Sequence, residues 1–206
     1  MAFFHDLFVT IIAGILLAGV LLRSLDYLSK INVLSSFAAL WPFYSNDETA
    51  PWLAAILPAA IGGKFLLIGL GLVKVSRTGN YKEVLYGPTS YGIIHVLCTI
   101  AYWRRSHIGI HSLLILCIGD GVAGLFGRQT KQRLPWNHEK TVGGTLAFFI
   151  CSFMGFIRHS ASELMFSMFF NALACSIVES LPYQQDLDNI TTVLTSLFLS
   201  HWLTPH

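Results

Sequence analysis

The amino-acid sequence predicts an all-α, polytopic transmembrane helix bundle of about seven or eight spans, and three observations carry that prediction. Of the 206 residues, 54% are hydrophobic and 12% are charged, against roughly 25% charge in an average soluble domain. The apolar residues come in long blocks, with neither helical nor alternating spacing to supply a polar face for water. A helix needs about 20 apolar residues to cross a bilayer. With short loops, a chain of this length therefore holds at most about eight spans, read as a single domain over residues 1–206.

The elements follow in order. Leu7–Leu22 is uncharged and closes at Arg23, giving the first span. Ile31–Tyr44 is a short second span ending in Trp41-Pro42-Phe43-Tyr44, an interfacial aromatic signature; without it the count is seven. Asn46-Asp47-Glu48 is a polar turn. Pro51–Val73 is the third span, interrupted by Lys64 and rich in glycine. Lys74–Gly87 reads as a polar loop, and Pro88–Trp103 as the fourth span, capped by Arg104-Arg105. His107–Gly127 is the fifth and contains Asp120. Arg128–Lys140 is a basic loop. Thr141–Ile157, Ala161–Leu181 (with Glu179) and Leu187–Leu203 complete the bundle.

Charge sets the orientation. With eight spans, Arg23, Lys30, Lys74, Arg77, Lys82, Arg128, Lys131, Arg133 and Lys140 fall on one side, and Arg104, Arg105 and Arg158 on the other. Short basic loops stay on the side of insertion, so the basic side is expected to face cytosol or stroma and both termini the opposite compartment. A net charge of +2 gives no footprint for nucleic acid. Cys98, Cys117, Cys151 and Cys175 stand singly in apolar blocks and read as core residues. Met1–Asp6 has no positive charge and no cleavage site follows, so no cleavable leader is expected within this chain. His95, His107 and His111 lack metal-ligand spacing and read as packed or interfacial.

Three residues sit where charge is expensive: Lys64, Asp120 and Glu179. An ion at bilayer depth costs roughly 2.5–3.5 kcal/mol on insertion scales and persists when it lines a polar cavity or is paired. Asp120 precedes Arg128 by eight residues, about 12 Å from that end of its helix. Glu179 precedes Pro182 near the same membrane face, and Asp186 and Asp188 follow in the next loop. Four carboxylates can thus converge beside the basic loop, the hard-oxygen set that a magnesium ion takes beside phosphates. Lys64 is either a ligand cation or the internal counter-ion of Asp120 or Glu179.

Two segments flank the basic loop. In Gly119–Arg128, one stripe carries Asp120, Ala123, Gly124 and Gly127, leaving one carboxylate and bare backbone for a ligand to approach. The alternative is a small-xxx-small packing seam through Gly119, Ala123 and Gly127. In Lys140-Thr141-Val142-Gly143-Gly144-Thr145, a lysine and two glycines meet a helix N-terminus, whose free N–H groups and positive dipole end suit phosphate. The alternative is a snorkelling lysine with a threonine cap. No Walker A pattern occurs.

These residues resemble the polyprenol kinase family, most closely its phytol kinase and farnesol kinase branch. The match runs through Gly119-Asp120-Gly121-Val122-Ala123-x-x-x-Gly127-Arg128, Leu134-Pro135-Trp136-Asn137, Lys140-Thr141-x-x-Gly144-Thr145 and Val178-Glu179-Ser180-Leu181-Pro182. Weaker agreement extends to Trp41-Pro42-x-x-Ser45-Asn46, Gly62-x-Lys64 and Glu83-x-Leu85-x-Gly87-Pro88, so residues from about 40 onward are covered. The family's Arg-Lys-x-x-His is replaced by Ser29–Ser35, and Lys131 stands where a second glycine usually follows Gly127-Arg128. The resemblance implies a CTP-preferring, magnesium-dependent transfer of a γ-phosphate to a prenyl alcohol such as phytol. It also implies a plastid membrane, or alternatively the endoplasmic reticulum, and a place feeding tocopherol synthesis.

The expected roles follow from phosphoryl transfer, which needs positioning and charge neutralisation. Asp120 and Glu179, with Asp186 or Asp188, hold Mg2+. Arg128 and Lys140 bind phosphate, beside Gly121, Gly127, Thr141, Gly143, Gly144 and Thr145. Asp120 accepts the hydroxyl proton, and Lys64 and Asn137 are secondary. The competing readings are a transporter with midplane charges, a cytidylyltransferase releasing pyrophosphate, and an inactive member of the family.

Overall fold

The computed structural model describes residues 1–23, 40–72, 81–103, 106–159, 164–182 and 187–203. The architecture is all-α, as the composition predicts. Seven helices appear among the described residues: α1 (Ala2–Arg23), α2 (Ala50–Gly69), α3 (Tyr81–Tyr102), α4, α5 (Val142–His159), α6 (Met165–Ser180) and α7 (Asp188–Leu203). The fourth, α4, runs from His107–Leu114 through a π-helical turn at Ile115–Gly119 into Asp120–Gly127. The chain packs as two compact units, Met1–Arg104 and Arg105–His206.

In the N-terminal unit, α2 carries proline in its first turn, where the missing N–H has no helical partner to lose. It ends at Gly69, and Gly71 just beyond, with a φ of +73°, has the left-handed geometry common after a helix C-terminus. Helices α2 and α3 touch backbone to backbone: a Cβ on Gly92 would lie 2.7 Å from the Gly62 Cα. Near the start of α1, the fully buried Asp6 accepts hydrogen bonds from the Ser45 N–H at 2.7 Å and the Ser45 hydroxyl at 2.6 Å. Thr10 meets the Tyr44 hydroxyl at 3.0 Å, and the rings of Trp41 and Tyr44 pack against Trp103.

In the C-terminal unit, Ile115, Ala123, Phe148, Met168, Ala172 and Cys175 form the core. Polar groups tie the helices inside it. Asn171 Nδ2 donates to the Ser196 carbonyl at 3.1 Å and the Ser200 hydroxyl at 2.7 Å, and Ser112 donates to Ser196 at 3.3 Å. The outward faces are apolar: Phe8, Ile15, Leu97, Met154, Phe166 and Phe198 are all exposed. Exposed apolar faces of this extent mark a surface for lipid or for another protein.

Several expectations change. Among the described residues, two helical stretches, Ala50–Gly69 and Ile108–Gly127, are long and apolar enough to cross a bilayer, against the seven or eight spans expected; Ala2–Leu16, Val142–Gly155 and Met165–Ser180 are apolar but shorter. Sixteen-residue α6 and α7 rise only about 24 Å. The expected polar loop Lys74–Gly87 is partly helix, because α3 begins at Tyr81 and runs through Pro88. Hydropathy marks only the apolar run of a helix, whereas Lys82, Glu83 and Leu85 before that run are good helix formers by propensity. The end of the expected second span is a 3-10 turn, Trp41–Phe43, followed by extended Tyr44. The rest of that span, the Ser29–Ser35 stretch, Lys74, Arg77, Arg104, Arg105 and Asp186 lie outside the described residues. Cysteines 98, 117 and 175 are buried and Cys151 half-buried, all as free thiols.

Candidate active site

The site is built where α6 stops. Pro182 pushes the residue before it out of the α region, and Leu181 is extended with ψ 148°. Glu179 therefore sits in the last turn, against the negative end of the helix dipole, where a carboxylate needs a cation. Lys140 supplies it. Its Nζ donates to Glu179 Oε1 at 2.5 Å and to Asp188 Oδ2 at 2.9 Å. Burial opposes the charge of Lys140, but the two carboxylates outweigh that penalty and hold the ammonium above the ordinary lysine range.

Asp188 opens α7, where an acidic side chain suits the positive dipole end, and its Oδ1 accepts the Asn189 N–H at 2.9 Å. Asp120, half-buried, resumes the α-helix directly after the π-turn of α4 and lies within Coulombic reach of Asp188, Lys140 and Glu179. Such turns recur where a helix must present a functional side chain. The cluster thus holds three carboxylates and one ammonium. Glu179 is only 5% exposed, and its Oε2 has no hydrogen-bond partner.

The basic loop that carries Lys140 is an ordered hairpin. The Leu134 N–H donates to the Lys140 carbonyl at 3.1 Å and the Val142 N–H to the Gln132 carbonyl at 3.0 Å, around an antiparallel bridge between Arg133 and Thr141. Buried Asn137 straps the hairpin to α6: its Nδ2 donates to the carbonyls of Ser180 and Leu181, both at 3.2 Å, and its Oδ1 accepts the Glu139 N–H at 3.1 Å. Trp136 Nε1 donates to the Ser180 hydroxyl at 3.3 Å. The strap carries Lys140 to Glu179.

After the hairpin, Thr141 caps α5, its Oγ1 accepting the Gly144 N–H at 3.1 Å and meeting the Thr130 hydroxyl at 3.1 Å. The glycines serve a close helix crossing. A Cβ on Gly144 would lie 3.0 Å from the Ala123 carbonyl oxygen, and one on Gly143 would lie 2.3 Å from Thr130 Cγ2. Gly119 meets Ser152 and Phe148 in the same way. The small-residue stripe of α4 is therefore a packing seam against α5, and Gly124 alone among these glycines faces open space.

The structure brings Asp120, Lys140, Glu179 and Asp188 together, with Asn137 and Thr141 supporting them. Arg128 is exposed just past α4, Gly121 is half-buried, Gly127 lies on the seam, and Thr145 has a buried, unpartnered hydroxyl. Lys64 is exposed on α2 in the N-terminal unit, and the lysine that pairs with Glu179 is Lys140. Sequence reasoning missed the anchoring roles of Trp136, Ser180 and Thr130, although Leu134-Pro135-Trp136-Asn137 stood out as a motif. Among the described residues, no group of three His, Cys, Asp or Glu side chains is placed to hold a metal by itself. Mg2+ commonly takes one or two protein carboxylates and completes its shell with water and phosphate. An unpartnered, buried Glu179 oxygen beside two further carboxylates fits that demand.

The chain is 34% identical to a protein of Oryza sativa subsp. japonica named probable phytol kinase 2, chloroplastic, over 95% of this chain and 75% of that protein. It is 28% identical to phytol kinase 1, chloroplastic, of Arabidopsis thaliana, over 84% of this chain and 64% of the relative. It is 30% identical to the farnesol kinase, chloroplastic, of the same plant, over 82% of this chain and 62% of the relative. The chain thus spans somewhat under two thirds of the length of both Arabidopsis proteins. No family model and no solved structure matches it.

Proposed function

We propose a substrate and a mechanism from one premise: this chain belongs to the polyprenol kinase family, in its phytol and farnesol kinase branch, whose members are phosphotransferases with an alcohol acceptor. The reaction is transfer of the γ-phosphate of CTP to a long-chain isoprenoid alcohol, phytol in the first place, yielding the prenyl monophosphate that tocopherol synthesis or isoprenoid salvage consumes. Residues 1–206 act as one multi-pass kinase-like domain with seven or eight membrane crossings, in a plastid membrane or else in the endoplasmic reticulum. The hairpin faces cytosol or stroma, and both termini face the opposite side.

The observation that carries this reading is the Lys140–Glu179–Asp188 ion cluster with Asp120 beside it and one buried Glu179 oxygen unpartnered. Asp120, Glu179, Asp188 and Asp186 are the carboxylates offered to Mg2+; one or two of them would bind it directly and the others would hold its waters. Bound there, Mg2+ neutralises phosphate charge and orients the triphosphate. Arg128 and Lys140 bind phosphate oxygens. Thr141, Gly143, Gly144 and Thr145 build the N-terminus of α5, with Gly121 and Gly127 at the helix crossing beside it, and the positive end of the α5 dipole draws those oxygens. The alcohol enters from the bilayer with its tail among the helices and its hydroxyl at the polar end. Asp120 accepts the hydroxyl proton as the O–P bond forms. Asn137 holds the hairpin that carries Lys140, and Lys64 is secondary.

Purified Asp120→Asn and Lys140→Ala, assayed for phytol phosphorylation with CTP and Mg2+, are each expected to lose about 100-fold or more in rate. Rates near wild type in both would end the assignment. Release of CDP, rather than pyrophosphate, separates the kinase from a cytidylyltransferase.

A further inference from the structure

Lys140 poses a problem that the reaction has to solve. Phosphate needs the ammonium, yet the ammonium sits 2.5 Å from Glu179 and 2.9 Å from Asp188. Those are the same oxygens that a divalent cation would take, and an ammonium and a metal cannot both bridge one pair of carboxylates at contact distance. The hairpin backbone is fixed by Asn137 and by the Leu134–Lys140 hydrogen bond, but the lysine stem has four rotatable carbons and three donors. Its head can move several ångströms while its Cα stays in place.

The Glu179 environment points the same way. Oε1 is held by Lys140, whereas Oε2 is buried and makes no hydrogen bond. A buried acceptor without a partner costs free energy, so the carboxylate is built for more ligands than Lys140 provides.

We propose that Lys140 is an exchangeable placeholder: in the unloaded protein its ammonium occupies the Glu179–Asp188 pair, and loading with a metal-bound nucleoside triphosphate moves it from the carboxylates onto the phosphates. This inference rests on the kinase reading for the identity of the ligands. Metal and lysine compete for the same oxygens, so metal alone binds weakly. Nucleotide supplies the lysine with another anion and thereby opens the carboxylates to the metal. The site therefore fills with both ligands together, and free Mg2+ does not lock it.

The test is Mn2+ binding by electron paramagnetic resonance on purified full-length protein, with and without CTP, in wild type, Lys140→Met and Lys140→Arg. Lys140→Met is expected to bind Mn2+ alone about tenfold or more tightly than wild type, because a competing positive charge is gone, while its CTP affinity falls. Those opposite signs in one variant distinguish exchange from general damage. Lys140→Arg keeps the charge and should leave Mn2+ binding as weak as in wild type. Equal or weaker Mn2+ binding in Lys140→Met overturns the proposal. If that variant does not fold, wild type decides: Mn2+ affinity unchanged by CTP overturns it, and tightening by CTP together with weak binding in Lys140→Arg supports it. Exchange without phosphate transfer to any prenyl alcohol would refute the kinase reading alone. Transfer with Mn2+ binding indifferent to Lys140 would refute the exchange alone.

Discussion

Gly124 and Gly144 lie on facing helices only a turn or two from the ion cluster, yet a methyl group has opposite consequences at the two sites. A Cβ on Gly144 meets the Ala123 carbonyl oxygen at 3.0 Å and the Gly127 Cα at 3.3 Å, so Gly144→Ala must push α5 off α4 and is expected to cost about 1–3 kcal/mol. Gly124 has nothing within 4 Å of that position, and Gly124→Ala should be neutral or stabilising by about 0.5–1 kcal/mol. Thermal unfolding in detergent checks both. Lys140 adds a pH dependence. Its folded pKa is raised, so its contribution is present in full below the ordinary lysine value of about 10.4 and is lost as pH rises through the higher folded value. The stability gap between wild type and Lys140→Met should stay constant from about pH 6 to 9 and narrow only above about pH 10.4. At this scale the sequence singles out residues and is silent about whom they meet. A lysine beside Thr-Val-Gly-Gly reads as a phosphate ligand, and Lys64 as either a ligand cation or a counter-ion. Only the fold shows that Pro182 ends α6 at the point where Glu179 needs Lys140.

Among the elements, the hairpin between α4 and α5 departs furthest from its sequence. Charged and polar residues from Arg128 to Lys140 read as an open basic loop. In the structure Leu134 is buried, Asn137 binds two carbonyls at the end of α6, and Trp136 adds a third anchor. Asn137→Ala leaves those carbonyls and the Glu139 N–H without partners, for an expected loss of about 1–3 kcal/mol. Trypsin should then cut more rapidly at the exposed Lys131 and Arg133, and proteolysis of the detergent-solubilised protein measures that directly. Thr141→Ala removes the α5 cap and should cost about 1 kcal/mol, whereas Thr141→Ser should retain most of it. The helices themselves were more legible. Long apolar runs bounded by charge place α4 over His107–Gly127 and α7 within a residue of its observed start. Periodicity says nothing of a π-turn, and hydropathy says nothing of helix that continues into water, which is why α3 starts earlier than read.

For the molecule as a whole, many large apolar side chains, phenylalanines and leucines among them, face outward, while serines, two asparagines and an aspartate are buried beside the apolar core. A charge content of 12% leads to the expectation of an apolar exterior. Orientation is argued from the unequal basic loops. A cysteine substituted at Gln132, on the exposed hairpin, should be labelled by an impermeant maleimide from the cytosolic or stromal side, and a tag at the N-terminus should be protected from that side. Labelling of both from one side would reverse the assignment for the N-terminal half.

The wide turn of α4 gives that helix one residue of slack. Before it, Ser112 is matched to Ser196 of α7; after it, Ala123 and Gly127 are matched to Gly144 of α5. A straight helix would have to satisfy two neighbours with one fixed pitch. Shortening the chain by one residue inside Ile115–Gly119 should therefore heal the turn and keep both matings. The same deletion inside Asp120–Gly127 would rotate the residues beyond it by about 100° and uncouple the hairpin from its anchor.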